Sequence, residues 1–298
     1  MKQHISPCAL VVCVILLAGI GAAETPNRVT ILYDSFGKDP ALTMDWGFAA
    51  LIEYDGKRIL FDAGGNPDIL ARNAASKNID LSRLDFVVMS HRHGDHMGGL
   101  AYVLKVNPSV KIYAPKERSG VYGDDQASST WYRKDISLPG EQRYYRGTPP
   151  EIIHMGAAWP GANFQLVDKN TEITPGMYLI ALVSDKAGTM ELKELSLAIK
   201  SPHGAILIVG CSHPGVEQIV HEAASIDPHI NILFGGLHEI QAPDPEVERI
   251  AAALHDRYKV ERVAPGHCTG EPEFAALKRV FGDHYAYAGV GSVIELPK

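Results

Sequence analysis

The stretch His91-Arg92-His93-Gly94-Asp95-His96 sets three imidazoles and one carboxylate, all good metal ligands, within six residues. Before it, Phe86-Val87-Val88-Met89-Ser90 reads as a buried strand, and after it Gly98-Gly99-Leu100-Ala101-Tyr102-Val103-Leu104 reads as a helix. The ligands therefore sit on a strand-to-helix turn. In such a turn His91 and His93 point one way while Asp95 and His96 point the other, which gives two half-sites a few ångström apart. Neutral imidazole with carboxylate suits zinc, with manganese or iron as alternatives.

The pattern His-x-His-x-Asp-His resembles the signature of the metallo-β-lactamase superfamily, whose members are mostly metal-dependent hydrolases. Two further segments are similar to it: Arg58-Ile59-Leu60-Phe61-Asp62-Ala63-Gly64-Gly65, a strand ending in aspartate, and Ala264-Pro265-Gly266-His267, the last histidine motif. The match in order and type runs from about Val29 to Leu296. The resemblance implies an α/β fold of the αββα four-layer sandwich type, with metals at one sheet edge. It also implies that His91 and His93 hold a first metal, and Asp95, His96 and His267 a second. Asp62 would orient the metal histidines through hydrogen bonds without binding metal itself. Two zinc ions would be the cofactors, and metal-bound hydroxide would attack an ester, lactone, amide or phosphoester bond.

A narrower likeness rests on Gly210-Cys211-Ser212-His213-Pro214-Gly215, Gly235-Gly236-Leu237-His238 and His267-Cys268-Thr269-Gly270. This trio is similar to the branch labelled dihydropterin-linked ribofuranosylaminobenzene phosphate synthase. Here the chain departs from the better-known hydrolases, which supply a third histidine upstream and a bridging aspartate at the strand end. In this sequence Gly210-Cys211 closes that strand, so the Cys211 thiolate stands where an aspartate is expected, or His213 serves instead. His238 is a ligand or a binder of a substrate anion, and His154 is a candidate for the missing histidine. Asp95 and His238 are the residues expected to take catalytic roles.

With 298 residues, 46% apolar composition and no visible repeat, the chain suits a single α/β domain with a large core. Its start differs: Lys2 and His4 precede an apolar run from Cys8 to Ile20, then Gly21-Ala22-Ala23 before Glu24. That is the outline of a signal peptide over residues 1–23, leaving a domain over 24–298 that is exported, periplasmic or secreted, without stable membrane association. An uncleaved anchor is the alternative, though the run is short for a bilayer span. Cleavage would remove Lys2 and move the formal net charge from −7 to −8. An acidic chain with no Lys/Arg run is a poor nucleic-acid binder and suits a small-molecule substrate. After cleavage only Cys211 and Cys268 remain; a disulfide between them is geometrically feasible, but one pair is not a disulfide-dependent scaffold.

Early strands are expected at Val29–Tyr33, Phe48–Tyr54 and Arg58–Phe61, with a turn at Asp55-Gly56, followed by a helix near Pro67–Lys77. Met97–Val106 reads as one helix and Lys111–Ala114 as a strand. From about Pro115 to Ile173 the pattern dissolves into polar, Gly/Pro and aromatic residues, including Trp131, Tyr132, Tyr144, Tyr145 and Trp159, and this variable segment is a candidate lid. Strands then recur near Tyr178–Val183, Ser196–Ile199, Ile206–Val209, Ile230–Phe234 and Val260–Val263, alternating with helices at Val216–Ser225, Pro245–Tyr258 and Glu273–Phe281. His203, His221, His229, His255 and His284 read as solvent-facing.

The leading expectation is an exported metallo-hydrolase. Two rivals accompany it: a pterin- or phosphoribosyl-linked synthase or transferase of the same fold, and a non-catalytic periplasmic metal-binding protein with a closed, thiolate-containing site.

Overall fold

Strands β1 (Arg28–Tyr33), β2 (Ala49–Tyr54) and β3 (Lys57–Phe61) open the chain as an antiparallel run. The computed structural model describes residues 26–117, 126–128, 136–154, 159 and 161–298. The leader expected over residues 1–23, the aromatics Trp131 and Tyr132, and the side chain of His154 lie outside what is described. Asp55 and Gly56, with φ of 48° and 72°, make the turn between β2 and β3. Both backbones there are left-handed, as the twist of a two-residue hairpin demands. Helix α1 (Pro67–Ser76) starts where Asn66 accepts from the Asp68 and Ile69 N–H groups at 2.9 and 3.3 Å, with Pro67 in its first turn.

After β4 (Phe86–Val88) the single helix expected over Met97–Val106 is instead two pieces, α2 (Gly94–Met97) and α3 (Leu100–Val106). The break falls at Gly98-Gly99. A Cβ on Gly98 would lie 2.0 Å from the Gly65 carbonyl oxygen, and one on Gly99 would lie 1.9 Å from that of Ala63. Only glycine lets the ligand loop press so closely onto the loop that follows β3.

Beyond β5 (Lys111–Pro115), the stretch expected to lack pattern holds β6 (Gln126–Ser128), β7 (Ile152–His154), β8 (Phe164–Val167) and β9 (Thr171–Thr174). Among the described residues β6 pairs with β7 alone, while β8 and β9 border the two main sheets. Each has at most four residues, and β8 and β9 together bury one residue, Val167, so no alternation can build up. The rest follows as β10 (Met177–Val183), β11 (Lys193–Ser201), β12 (Gly204–Val209), α4 (Val216–Ala223), β13 (Ile230–Gly236), α5 (Asp244–Ala252), β14 (Arg262–Gly266), α6 (Glu271–Phe281) and β15 (Val293–Glu295).

The first sheet runs β15-β1-β2-β3-β4-β5-β8 and the second β14-β13-β12-β11-β10-β9. β15 returns to β1 with Val29 opposite Ile294, and the Leu296 N–H donates to the Asn27 carbonyl at 2.9 Å. Side chains alternate across each strand. Ile52, Phe61, Leu197, Ile208 and Phe234 fill the space between the sheets. The opposite faces carry Leu51 and Leu60 against α1 and α3, and Leu207 and Leu233 against α4, α5 and α6. Strands buried on both faces explain the nearly continuous apolar runs. The result is the α/β sandwich expected above: two facing sheets with helices outside.

β3, β4 and β5 are parallel, as are β12, β13 and β14. Their carboxyl ends meet at one rim of the sandwich. Loops leaving parallel strands at that end are where α/β sheets present ligands. Among the described residues no helix is long and apolar enough to cross a membrane.

Candidate metal centre

Each predicted site residue leaves a strand at this rim. Asp62 follows β3, His91 to His96 follow β4, Cys211 and His213 follow β12, His238 follows β13, and His267 follows β14. Their donor atoms form overlapping sets: His91 with Cys211 and His213, His96 with Cys211 and His267, and Cys211 with His238 and Cys268. Within each set the donor atoms lie within 4.8 Å of one another. Cys211 belongs to all three. His93 borders the first set, its ring 4.7 Å from His91 and 4.9 Å from His213. Asp95 borders the second, with Oδ2 3.4 Å from His267 Nε2 and 3.8 Å from His96 Nε2. The two half-sites expected from the turn are thus brought together with groups from the second sheet.

Asp62 organises the first half through side chains. Its Oδ1 accepts from the Ser90 N–H at 2.6 Å, and its Oδ2 accepts from Ser90 Oγ and His96 Nδ1, both at 2.7 Å. Ser90 has one hydroxyl proton and gives it to Asp62, so His91 Nδ1 must be the donor in its 2.8 Å contact with Ser90 Oγ. Both histidines therefore carry a proton on Nδ1 and direct Nε2 into the site. A carboxylate that fixes the tautomer of ligand imidazoles is the usual arrangement behind metal-binding histidines.

The second half is held by carboxylates that the sequence reading missed. Glu194, at the start of β11, is buried and accepts from the N–H groups of Cys211, Ser212 and His213 at 2.9, 2.7 and 2.8 Å. Asp34, just after β1, accepts from the His267 N–H at 3.0 Å. Burial raises the Glu194 carboxyl to about 7 and Asp34 to about 8, against the pull of these N–H groups. An acidic residue within a buried strand was the available signal for Glu194, and an aspartate closing a buried strand was the signal for Asp34. Trp46, also missed, lies against His267 with ring centroids 5.0 Å apart.

Buried nitrogens without partners mark the centre: His91 Nε2, His267 Nδ1 and both ring nitrogens of His213. Such groups are costly unless something satisfies them. Burial lowers His91 well below the ordinary imidazole range, and burial with the neighbouring His238 and His93 lowers His213 to about 3, so both rings are neutral with free lone pairs. His96 differs. Burial opposes its charge, but Asp62 outweighs burial and lifts it to about 9. Its Nε2 lies 3.1 Å from both Cys211 Sγ and His267 Nε2. These donors fit a bound cation. Asp62, Ser212, His238 and His267 all adopt left-handed backbones, with φ of 56°, 63°, 58° and 49°, strain of the kind concentrated at functional sites. Cys211 and Cys268 are free thiols, not a disulfide. The five histidines expected to face solvent are exposed.

Residues 47–178 match the family model of the metallo-β-lactamase superfamily. The chain carries a metallo-β-lactamase domain. That match contains the whole His91–His96 motif. The chain is 24% identical to the 7,8-dihydropterin-6-methyl-4-(β-D-ribofuranosyl)-aminobenzene-5′-phosphate synthase of Methanocaldococcus jannaschii, across 94% of this chain and 100% of the relative. It is 28% identical to the protein MJ0448 of the same organism, across 83% of this chain and 92% of that one. The crystal structure of Tm1679, a metal-dependent hydrolase of the β-lactamase superfamily, shares the fold with a TM-score of 0.67 at 24% identity, covering 91% of this chain and 100% of that one. Metallo-β-lactamase domains typically bind metal ions. The curated sequence relative aligned along its whole length is a synthase, whereas the likeness to Tm1679 shows the fold alone, so the comparisons stand nearer to the synthase alternative than to the hydrolase expected first.

Proposed function

We propose that this metallo-β-lactamase domain is a metal-dependent synthase or transferase acting on a pterin- or phosphoribosyl-linked substrate. The observation that supports this reading is the alignment with a pterin-linked synthase over that protein's entire length, carried by a chain whose ligand residues converge at one rim. His91, His213 and Cys211, with His93 beside them, would hold one ion; His96, His267 and Cys211, with Asp95, would hold a second. Imidazole, carboxylate and thiolate together favour zinc over manganese. When bound, such an ion supplies a Lewis acid that polarises a phosphoryl or carbonyl oxygen and lowers the pKa of a coordinated water.

The chain's own groups divide the remaining tasks. Asp62 and Ser90 keep the imidazoles in one tautomer. Glu194 and Asp34 fix the loops that carry Cys211, His213 and His267. His238 is exposed at the mouth, 4.1 Å ring to ring from His213, and its hydrogen bond to Cys268 raises it above the ordinary imidazole value. An exposed imidazole at the mouth is within reach of the phosphate of a phosphoribosyl group.

Hydrolysis of an ester, lactone, amide or phosphoester is the second reading, supported by the family match across the His91–His96 motif. One assay separates the two. The metal-loaded chain is given an activated pterin or phosphoribosyl donor with an aromatic amine acceptor and, separately, a panel of hydrolysable esters. A joined product supports the synthase, and turnover of the panel alone supports the hydrolase. Export is proposed alongside from the apolar segment before Glu24. N-terminal sequencing of the protein recovered outside the cytoplasm tests it, and retention of the intact precursor inside would overturn it.

A further inference from the structure

We infer that the rim holds a third metal position, selective for thiophilic ions, formed by Cys211, His238 and Cys268. Their donor atoms lie within 4.8 Å of one another. Each comes from the carboxyl end of one of three neighbouring parallel strands, β12, β13 and β14. Two thiolates and one imidazole with a fourth position open are a set that zinc accepts and that softer ions prefer.

Two further observations separate this trio from buried cysteines that merely fill space. First, the space around Cys268 is kept by glycine: a Cβ on Gly236 would lie 2.8 Å from Cys268 Sγ and 2.6 Å from the Gly210 carbonyl oxygen. Second, Cys211 and Cys268 are buried whereas His238 is exposed, so the trio has an entry path for an ion from solvent. The loops are tied to each other as well, because Ser212 Oγ donates to the Gly236 carbonyl at 2.7 Å and the Leu237 N–H donates to Thr269 Oγ1 at 3.2 Å. The inference rests on the metal-centre reading only through the shared Cys211, and it does not depend on which reaction the centre performs.

Cadmium is the probe. Wild type, Cys268→Ser, His238→Asn and His91→Ala are saturated with cadmium, freed of excess ion, and measured for bound metal and for sulfur-to-cadmium charge-transfer absorbance. His238→Asn tolerates the left-handed backbone at that position, so it should fold even if Cys268→Ser does not. Both variants are expected to hold one cadmium fewer per chain than wild type, and Cys268→Ser should also lose charge-transfer intensity. Unchanged stoichiometry and absorbance in the folded variants would overturn the third position. If His91→Ala alone loses an ion, the main centre stands and the third position falls; a wild-type chain that binds no cadmium overturns both.

Discussion

For the ligands that leave the first sheet a buried carboxylate, Asp62, reaches the side chains themselves, whereas for those that leave the second sheet Glu194 of β11 and Asp34 just after β1 reach only the ligands' main-chain N–H groups. The difference follows from how the ligands are strung. His91 and His96 share one turn, so a single acceptor can address both rings, one directly and one through Ser90. Cys211 and His213 leave β12 while His267 leaves β14, and no buried carboxylate hydrogen-bonds to the side chains of all three. There, fixing the backbone is the way to fix the donors. One half of the centre is controlled by protons and the other by loop position.

The sharpest attempt to break this contrast is Asp62→Ala. It removes the acceptor for three donors and the carboxylate that keeps His96 charged, so the ring discharges and the stranded buried donors cost about 1–3 kcal/mol each in the metal-free chain. Loss of imidazole orientation should weaken metal binding by about 10–100-fold. Urea unfolding and competition with a chelator measure the two, and unchanged metal affinity would remove the distinction.

Glu194→Gln comes next. An amide cannot accept from all three N–H groups, and stranding one costs about 1–3 kcal/mol. Its signature should be local: faster hydrogen exchange at the amides of 211–213, with those of the His91–His96 loop unaffected. Equal acceleration in both loops would show that the two halves are not held separately. Ser90→Ala should cost less, about 1 kcal/mol, and should release His91 from its single tautomer, visible as a shifted imidazole nitrogen resonance.

The last effect is a slope. Asp34 is raised by burial to about 8, so the folded chain keeps a proton that the unfolded chain gives up near roughly pH 4. Between those values the native state binds more protons, and stability falls as pH rises until the folded carboxyl has ionised. Asp34→Asn should flatten that fall in metal-free protein, read as the denaturant midpoint across the interval. A slope indistinguishable from wild type would mean that Asp34 does not carry it.

The same contrast explains what the sequence disclosed. His91 to His96 are contiguous, so their chemistry is legible as a motif; the nearly continuous apolar runs of β1, β2, β12 and β13 disclosed strands of an α/β fold, and the family resemblance supplied the sandwich. Asp62, Cys211, His213 and His267 were found at the ends of such runs. Glu194 and Asp34 were not: their local signal is only an acidic residue in or at the end of a buried strand, and the N–H groups they hold lie farther along the chain. The split at Gly98-Gly99 was missed for a related reason, since the glycines answer to the carbonyls of Ala63 and Gly65 and not to the helix they interrupt. β8 and β9 escaped because short edge strands carry no period.

The pairing of β15 with β1 sets an order of events. A ribosome releases β1 long before β15, so the outer edge of β1 stays open while all the strands and helices between them are made. Open edges invite pairing with the wrong strand. The nascent protein is therefore at greatest risk of aggregation along β1, and a chaperone that covers this edge has the length of translation in which to act.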